Sequence, residues 1–295
     1  MKRTIERVGI GERLFDVLNF IFMVLIFIIM LYPFIYILSY SISDPSLLRG
    51  GLILLPVGLD FAAFRTCFSD TSILNGLYVS VARTILGSLG MVVITSMAGY
   101  VLTKNKLIGI SFIRRFFVLT MYFSSGIIPS YILIKELHLM ETFAVYIIPS
   151  LVNVFSLILI KTYIESIPES LEEAALIDGA NEAVVFFKIL FPVCKPVIAA
   201  VLLFACIGQW NSFIDTQLYN SMTPKNFSLQ YVLFMSLASQ TQSVQQAKEL
   251  YNSKAVAPQS LRMAITIITV LPVILIYPFL QKYFISGLLI GSVKG

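Results

Sequence analysis

Charged residues are scarce in this chain: they make up 13% of its 295 residues, whereas hydrophobic residues make up 58%. Soluble domains carry about 25% charged residues, so this composition excludes an ordinary soluble protein. The mean hydropathy of +0.88 points the same way. The sequence therefore indicates an integral membrane protein.

Residues that bind metals, form disulfides or carry out catalysis are also few. The chain has one histidine, His138, and three widely spaced cysteines, Cys67, Cys194 and Cys206. Neither a metal site nor a disulfide framework is expected from so sparse a set. The sequence contains no Walker-type phosphate loop and no nucleophile elbow, so we predict a non-enzymatic chain. The net charge of +5 gives no reason to invoke nucleic acid.

Long charge-free runs are abundant. A helix needs about 20 predominantly apolar residues to cross a bilayer. Six runs come near that length: 17–43, 84–103, 116–134, 142–160, 197–214 and 263–281. The first is too long for a cleavable signal peptide and should remain as a span. We therefore predict an all-α integral membrane fold with six transmembrane helices, several of them kinked at prolines.

Basic residues give the orientation of these spans. They cluster before the first run, within residues 2–13, and after the second, within residues 104–115. Lysine and arginine accumulate in cytoplasmic loops, so both regions should be cytoplasmic. With six spans the topology is N-in/C-in. The loop between the fourth and fifth runs then also faces the cytoplasm.

That cytoplasmic loop contains a short predicted helix, 166–180. Ser166 and Glu169 have the spacing of a capping box, and Gly179 is a natural C-terminal stop. Four residues share one face at i, i+3, i+4 and i+7 spacing: Leu171, Ala174, Ala175 and Asp178. Two alanines on one face permit the close approach of a partner. We interpret this face as a docking surface.

The same loop carries a resemblance to a known family. Glu173-Ala174-Ala175, then three residues, Gly179, nine residues and Ile189-Leu190-Phe191-Pro192 resemble the EAA loop of binding-protein-dependent ABC importer permeases. Phe191 stands where that family usually has leucine. The residues 281–295 look like the tail of sugar permeases of the maltose G-subunit type. The stretches 122–129 and 253–258 are similar to permeases for acidic or complex oligosaccharides.

The resemblance implies a type I ABC importer permease fold and a set of partners. Residues 1–73 would hold the N-terminal lead, first span and outer segment, 74–284 the core permease domain, and 285–295 a cytoplasmic tail. The chain would form half of a pathway for sugars in a bacterial cell membrane, in contact with membrane lipid. Its partners would be a second homologous permease, two ATPase subunits and an extracytoplasmic solute-binding protein. ATP and Mg would bind the ATPases, leaving no cofactor on this chain.

The family motif also implies roles for the loop residues. Glu173 would fix the coupling helix in a groove of the ATPase, and Ala174 and Ala175 would allow close contact there. Gly179 would make the turn after the helix. Two further residues would anchor the loop to the fifth span: Ile189 and Pro192.

Polar residues at the end of the fifth run suggest a substrate pathway. Gln209, Trp210, Asn211 and Asp215 could bind a sugar, since indole rings stack on sugar rings and amides and carboxylates hydrogen-bond their hydroxyls. For Trp210 alone, we favour the other interpretation, an interfacial residue of the membrane. For Arg83, next to the second run, we favour a position at the outer interface with the guanidinium in water over a place in the pathway.

Two alternatives remain at this stage. An ABC permease for amino acids or peptides would share the coupling loop but commonly lacks the sugar-type tail. An ATP-independent channel would need rings of polar residues, and the runs show no such pattern. Paired ionisable groups, which a membrane enzyme would require, are also absent from the runs.

Overall fold

A computed structural model of the chain describes residues 10–48, 51–238 and 257–289. These residues form helices and one isolated β-bridge, between Ser43 and Leu59, so the prediction of an all-α fold is confirmed. The chain divides into two compact units. The first comprises Met1–Ser69 and Thr241–Ile268, and the second comprises Asp70–Gln240 and Thr269–Gly295.

The first unit begins with a long apolar helix, α1 (Ile10–Ser41), which contains Pro33. At 1.5 Å per residue its 32 residues extend about 48 Å, more than the roughly 30 Å of a hydrocarbon core. Its most apolar stretch has no buried residue, as expected of a helix surrounded by lipid. The following loop folds back on the helix end, where Ser43 Oγ accepts a hydrogen bond from the Val57 N–H (3.1 Å). A short helix, α2 (Ala62–Ser69), follows.

The second unit contains the remaining helices up to residue 238. They are α3 (Thr71–Val101), α4 (Ile110–Tyr122), α5 (Ile127–Glu136), α6 (Val154–Glu165), α7 (Ser170–Ile177), α8 (Glu182–Val184), α9 (Phe191–Val193), α10 (Lys195–Asn211), α11 (Ile214–Tyr219) and α12 (Leu229–Ala238). Three 3₁₀ turns, Phe143–Tyr146, Ile148–Ser150 and Pro224–Asn226, and a π-helix, Val185–Leu190, lie between them. The last helix, α13 (Pro258–Leu289), crosses the boundary between the units in sequence.

Among the described residues, three helices are long and apolar enough to cross a membrane: Gly11–Ser41, Thr71–Val101 and Pro258–Ile276. Two bent pairs raise the number to five if each counts as one span: Phe143–Ser150 with Val154–Glu165, and Glu182–Val193 with Lys195–Asn211. The predicted run 116–134 falls on α4 and α5, which are separated by residues 123–126. The count of six spans therefore stays a prediction.

A kink of the kind predicted from the prolines is present at the start of α10. The helix axis turns by 83° between Glu182–Val193 and Lys195–Asn211. Pro192 and Pro196 flank this turn, and proline has no N–H to continue the helical hydrogen-bond ladder. The π-helix Val185–Leu190 just before it shows that the ladder is already altered upstream.

The core of the second unit forms around α3 and α10, which pack against each other more extensively than any other pair of described elements. The helix α3 also packs against α6, where a Cβ on Gly99 would lie at an ordinary contact distance, 3.4 Å, from the Leu157 carbonyl oxygen. A large apolar cluster joins these helices to the loop after α6. Its buried members include Val92, Tyr100, Ile160, Ile164, Ala175, Val185, Phe186, Leu190, Val197 and Val201.

Candidate functional site

A cavity of about 790 Å³ lies in the second unit, between α3, α5, the 3₁₀ turns before α6, and α10 and α11. Its lining mixes apolar and polar side chains. The polar lining residues include Arg83, Ser130, Tyr146, Ser150, Asn153, Ser156, Gln209, Ser212, Asp215 and Tyr219. The volume is in the range of small-molecule sites.

The guanidinium of Arg83 lies in the cavity wall and forms hydrogen bonds with several of its neighbours. The Arg83 guanidinium donates from Nε and Nη2 to Gln209 Oε1, at 3.1 and 3.0 Å, and from Nη1 to Asp215 Oδ1, at 3.0 Å. Its Nη2 also contacts Asp215 Oδ2, and Nη1 donates to the Ser212 carbonyl (3.3 Å). The guanidinium carbon lies 4.2 Å from the centre of the Tyr146 ring, a cation–π distance. We call Arg83, Tyr146, Gln209 and Asp215 the Arg83 network.

The position we favoured for Arg83 from sequence is therefore wrong. Arg83 is 1% exposed and does not extend its charge into water. The reason lies 132 residues further along the chain, where Asp215 supplies the opposite charge that makes burial tolerable. Each of the five N–H donors of the guanidinium has a partner, four of them at Gln209 and Asp215 and one at the Ser212 carbonyl.

The four predicted pathway residues divide into two pairs. Gln209 and Asp215 line the cavity, and Gln209 Nε2 donates to the Tyr146 carbonyl (3.0 Å) and to Ser150 Oγ (2.8 Å). Trp210 and Asn211 are not among the cavity residues. Trp210 is 7% exposed, and its indole N–H donates to the Thr269 carbonyl (2.9 Å). Asn211 is exposed and accepts a hydrogen bond from Gln230 Nε2 (3.2 Å).

A glycine makes room for Gln209. A Cβ added to Gly87 would lie 2.7 Å from Gln209 Nε2 and 2.9 Å from Cδ, which is closer than such atoms approach. Gly87 thus allows the amide of α10 to lie directly against α3. No sequence pattern indicated this contact, because the two residues are 122 positions apart.

The predicted coupling helix is present but shorter than expected. It is α7, Ser170–Ile177, and Glu169 at its N-cap position makes no side-chain capping bond. The predicted capping box is wrong: Ser166 Oγ donates to the Tyr163 carbonyl (2.6 Å) at the end of α6 instead. The predicted stop at Gly179 is confirmed. Gly179 has φ +85°, and backbone bonds from Gly179 to Leu176 and from Ala180 to Ala175 form a Schellman motif.

The residues of the family motif face different surroundings. Glu173 and Ala174 are exposed on α7, whereas Ala175 is 8% exposed and packs into the core of its own chain. The docking face predicted from the spacing therefore requires a correction, since the close contact of Ala175 is internal. Ile189 packs against the same core, while Pro192 is exposed next to the 83° turn.

A second charged group, which the sequence reasoning missed, joins this loop to α3. Lys104, just beyond the C-terminus of α3, forms ion pairs with Glu172 of α7 and with Glu182 of α8, the latter at 2.9 Å. The Tyr100 hydroxyl of α3 donates to Glu182, and the Lys104 ammonium lies 4.3 Å from the centre of the Tyr100 ring. We call these four residues the Lys104 cluster.

The electrostatics of the Lys104 cluster favour its ionised form. Hydrogen bonds from Tyr100 and then Lys104 lower the pKa of Glu182 below its ordinary value of 4.5. Burial by itself would lower the pKa of Lys104, but its hydrogen bonds, led by that to Glu172, raise the pKa above 10.5 overall. Lys104 was used in the sequence reasoning only to orient the span, although the first basic residue after α3 is well placed to contact the loop that contains α7.

The comparisons with known proteins give the family. No protein-family model matches the chain. The chain is 34% identical over 288 residues to the polygalacturonan/rhamnogalacturonan transport system permease protein YtcP of Bacillus subtilis (strain 168), covering 96% of this chain and 99% of that protein. The chain belongs to the carbohydrate branch of ABC importer permeases.

Two further similarities agree with this assignment. The permease is 35% identical over 285 residues to protein LplC of Bacillus subtilis (strain 168), covering 96% of each chain. A crystal structure of a bacterial ABC transporter involved in the import of the acidic polysaccharide alginate contains a chain with a TM-score of 0.87 and 28% identity, covering 95% of this permease and 99% of that chain. The resemblance drawn from the coupling loop and tail is confirmed.

Proposed function

We propose that this permease passes an oligosaccharide through the cytoplasmic membrane of a bacterium, with its cavity forming one wall of the pathway. The observation that carries the proposal is the set of free polar groups on that wall. Within the described residues, Asn153 Nδ2 and Ser156 Oγ line the cavity and have no hydrogen-bond partner, while Asn153 Oδ1 caps α6. Such groups can bind sugar hydroxyls in place of water.

The Arg83 network limits how the cavity can select its substrate. The guanidinium donors are all bonded within the chain, so Arg83 has no donor left for a sugar carboxylate while the network is closed. The remaining polar lining named above consists of hydroxyl and amide groups and of the Asp215 carboxylate, which is paired with Arg83. We therefore propose that this half of the pathway binds hydroxyls and contributes little to the choice between acidic and neutral sugars.

Six spans in the N-in/C-in orientation would complete the topology, with α7 on the cytoplasmic side. Two ATPase subunits would bind ATP and Mg and move α7, while this chain would hold no cofactor and catalyse no reaction. Glu173, Ala174 and the exposed Ile177 offer a charged and apolar surface for such a subunit. A second homologous permease would supply the opposite wall, and an extracytoplasmic solute-binding protein would deliver the sugar.

The relatives narrow the substrate class to be tested. The name of one relative refers to polygalacturonan and rhamnogalacturonan, and the alginate importer handles an acidic polysaccharide. We propose oligosaccharides from such acidic polymers as substrates. Uptake of these substrates is to be compared with uptake of neutral oligosaccharides of equal length.

The test is to purify the tagged permease in mild detergent, identify what co-purifies by mass spectrometry, and reconstitute the complex in vesicles. We expect an ATPase and a second permease to co-purify, and ATP-dependent uptake of labelled oligogalacturonides. A permease that purifies alone, or as a homo-oligomer that conducts solutes without ATP, would contradict the proposal and favour a channel.

A further inference from the structure

We infer that Lys104 is the positioning residue that transmits the displacement of the coupling helix α7 to the membrane helix α3. The inference rests on the proposed function, since it names how the loop acts on the cavity. Its basis is the Lys104 cluster, which joins the end of α3 to both limbs of the coupling loop: Glu172 lies before the Gly179 turn and Glu182 after it.

The position of the cluster suits transmission. Ala175 holds α7 to the core through an apolar contact, which resists separation but is not directional. Ion pairs and hydrogen bonds are directional, and the bonds of Lys104 and Tyr100 fix the end of α3 relative to the loop. A force applied to α7 therefore reaches α3 through Glu172 and Lys104.

The shape of α3 allows the displacement to reach the cavity. It is one continuous helix over Thr71–Val101, whereas the segments 110–136, 143–165 and 182–211 are each interrupted. Arg83 lies 18 residues before Val101, which is about 27 Å along the axis at 1.5 Å per residue. The same rigid helix thus carries the Lys104 cluster at one end and the Arg83 network at the cavity.

The exposure of the cluster indicates that it is not needed to hold the fold. The side chains of Lys104 and Glu172 are 21% and 26% exposed, and that of Glu182 is 60% exposed. Water reaches all three side chains and screens their ion pairs in part, so we expect these pairs to contribute less to folding free energy than the pair of the fully buried Arg83. Replacing Lys104 should therefore reduce the coupling of transport to ATP hydrolysis while leaving the stability of the fold nearly unchanged.

The experiment measures the number of oligosaccharide molecules transported per ATP hydrolysed by the reconstituted complex. We expect Lys104→Met to lower this ratio about 5-fold or more, the lower end of usual coupling effects. Lys104→Arg should keep most of it. The matched control is Lys161→Met, because Lys161 is 19% exposed and, among the residues that the structure describes, forms its ion pair with Glu165 one turn away (2.6 Å).

A second variant guards against a folding defect in Lys104→Met. Glu172→Gln leaves Lys104, Tyr100 and Glu182 in place and should lower the ratio as well, and by more than Glu182→Gln, because only Glu172 lies on α7. An unchanged ratio in both Lys104→Met and Glu172→Gln would overturn the inference. Loss of the ATPases from the Lys104→Met complex would also overturn it, since the cluster would then only shape the docking surface.

The two proposals fail differently. A wild-type complex that hydrolyses ATP but transports no oligosaccharide would contradict the proposed function, and with it the role of Lys104. A wild-type complex that transports normally alongside an equally efficient Lys104→Met complex would leave the proposed function intact and contradict the role of Lys104 alone.

Discussion

Two charged clusters on the same helix differ in burial. The Arg83 side chain is 2% exposed and faces Asp215 at 21%, whereas Lys104 is 21% exposed and faces carboxylates at 26% and 60%. A buried charge without its partner is strongly destabilising, while an exposed pair contributes at most about 1 kcal/mol. The comparison shows that one helix can carry an ion pair that the fold requires and another that the fold can lose.

The largest loss of stability is expected when Asp215 is removed from the Arg83 network. Asp215→Ala leaves the buried guanidinium unpaired and should cost about 3–5 kcal/mol of unfolding free energy. The measurement is the melting temperature of the detergent-solubilised permease, followed by size-exclusion chromatography after heating.

The double variant Arg83→Met/Asp215→Ala tests the reason for that loss. It removes both charges, so it should recover a large part of the melting temperature. If the double variant were as unstable as Asp215→Ala, the loss would come from packing or from the hydrogen bond that the Thr216 N–H donates to Asp215 rather than from an uncompensated charge.

The next largest loss of stability is expected when an uncharged residue beside the Arg83 network, Gly87, is changed. Gly87→Ala places a methyl group 2.7 Å from Gln209 Nε2, so the amide must move away from Arg83. We expect a loss of about 1–3 kcal/mol, typical of overpacking. Gly208→Ala is the control, because its Cβ would meet no atom within 4 Å. Equal melting temperatures for the two variants would show that Gln209 adapts without cost.

Local features of the sequence predicted the coupling loop better than the cavity. Gly179 and the family spacing identify the loop because a helix stop is determined by neighbouring residues. The partners of Arg83, Gln209 and Gly87 in the cavity wall lie more than 50 positions away in the sequence, and no single-sequence pattern encodes such contacts. The capping box failed for a related reason: Ser166 satisfies the end of α6, so it is not available to begin α7.

A smaller effect is expected at the turn after α7. Gly179 has φ +85°, which a side chain disfavours, and nothing lies within 4 Å of its Cβ position. Gly179→Ala should therefore cost about 1 kcal/mol through the backbone alone, and Gly179→Asn less, because asparagine tolerates this conformation. Melting temperatures of the two variants check the order. A larger loss in Gly179→Asn would contradict the backbone explanation.

The smallest loss of stability is expected when the Lys104 cluster is broken. The pH dependence of that loss distinguishes this cluster from the Arg83 network. The folded pKa of Glu182 is lowered, so its contribution is present above the ordinary value of 4.5 and is lost as the pH falls through the lowered pKa. The folded pKa of Lys104 is raised, so its contribution is present below 10.5 and is lost only as the pH rises through the raised value.

Lys104→Met should therefore lower the unfolding free energy by no more than about 1 kcal/mol. The resulting difference in melting temperature from the wild type should be small and should not change with pH between 4.5 and 10.5. It should shrink in acid below the lower limit and in base above the upper limit, and Lys161→Met provides the baseline for loss of a partly buried lysine. A difference that changed near neutral pH would show that a group outside the Lys104 cluster controls it, because neither Glu182 nor Lys104 changes charge there.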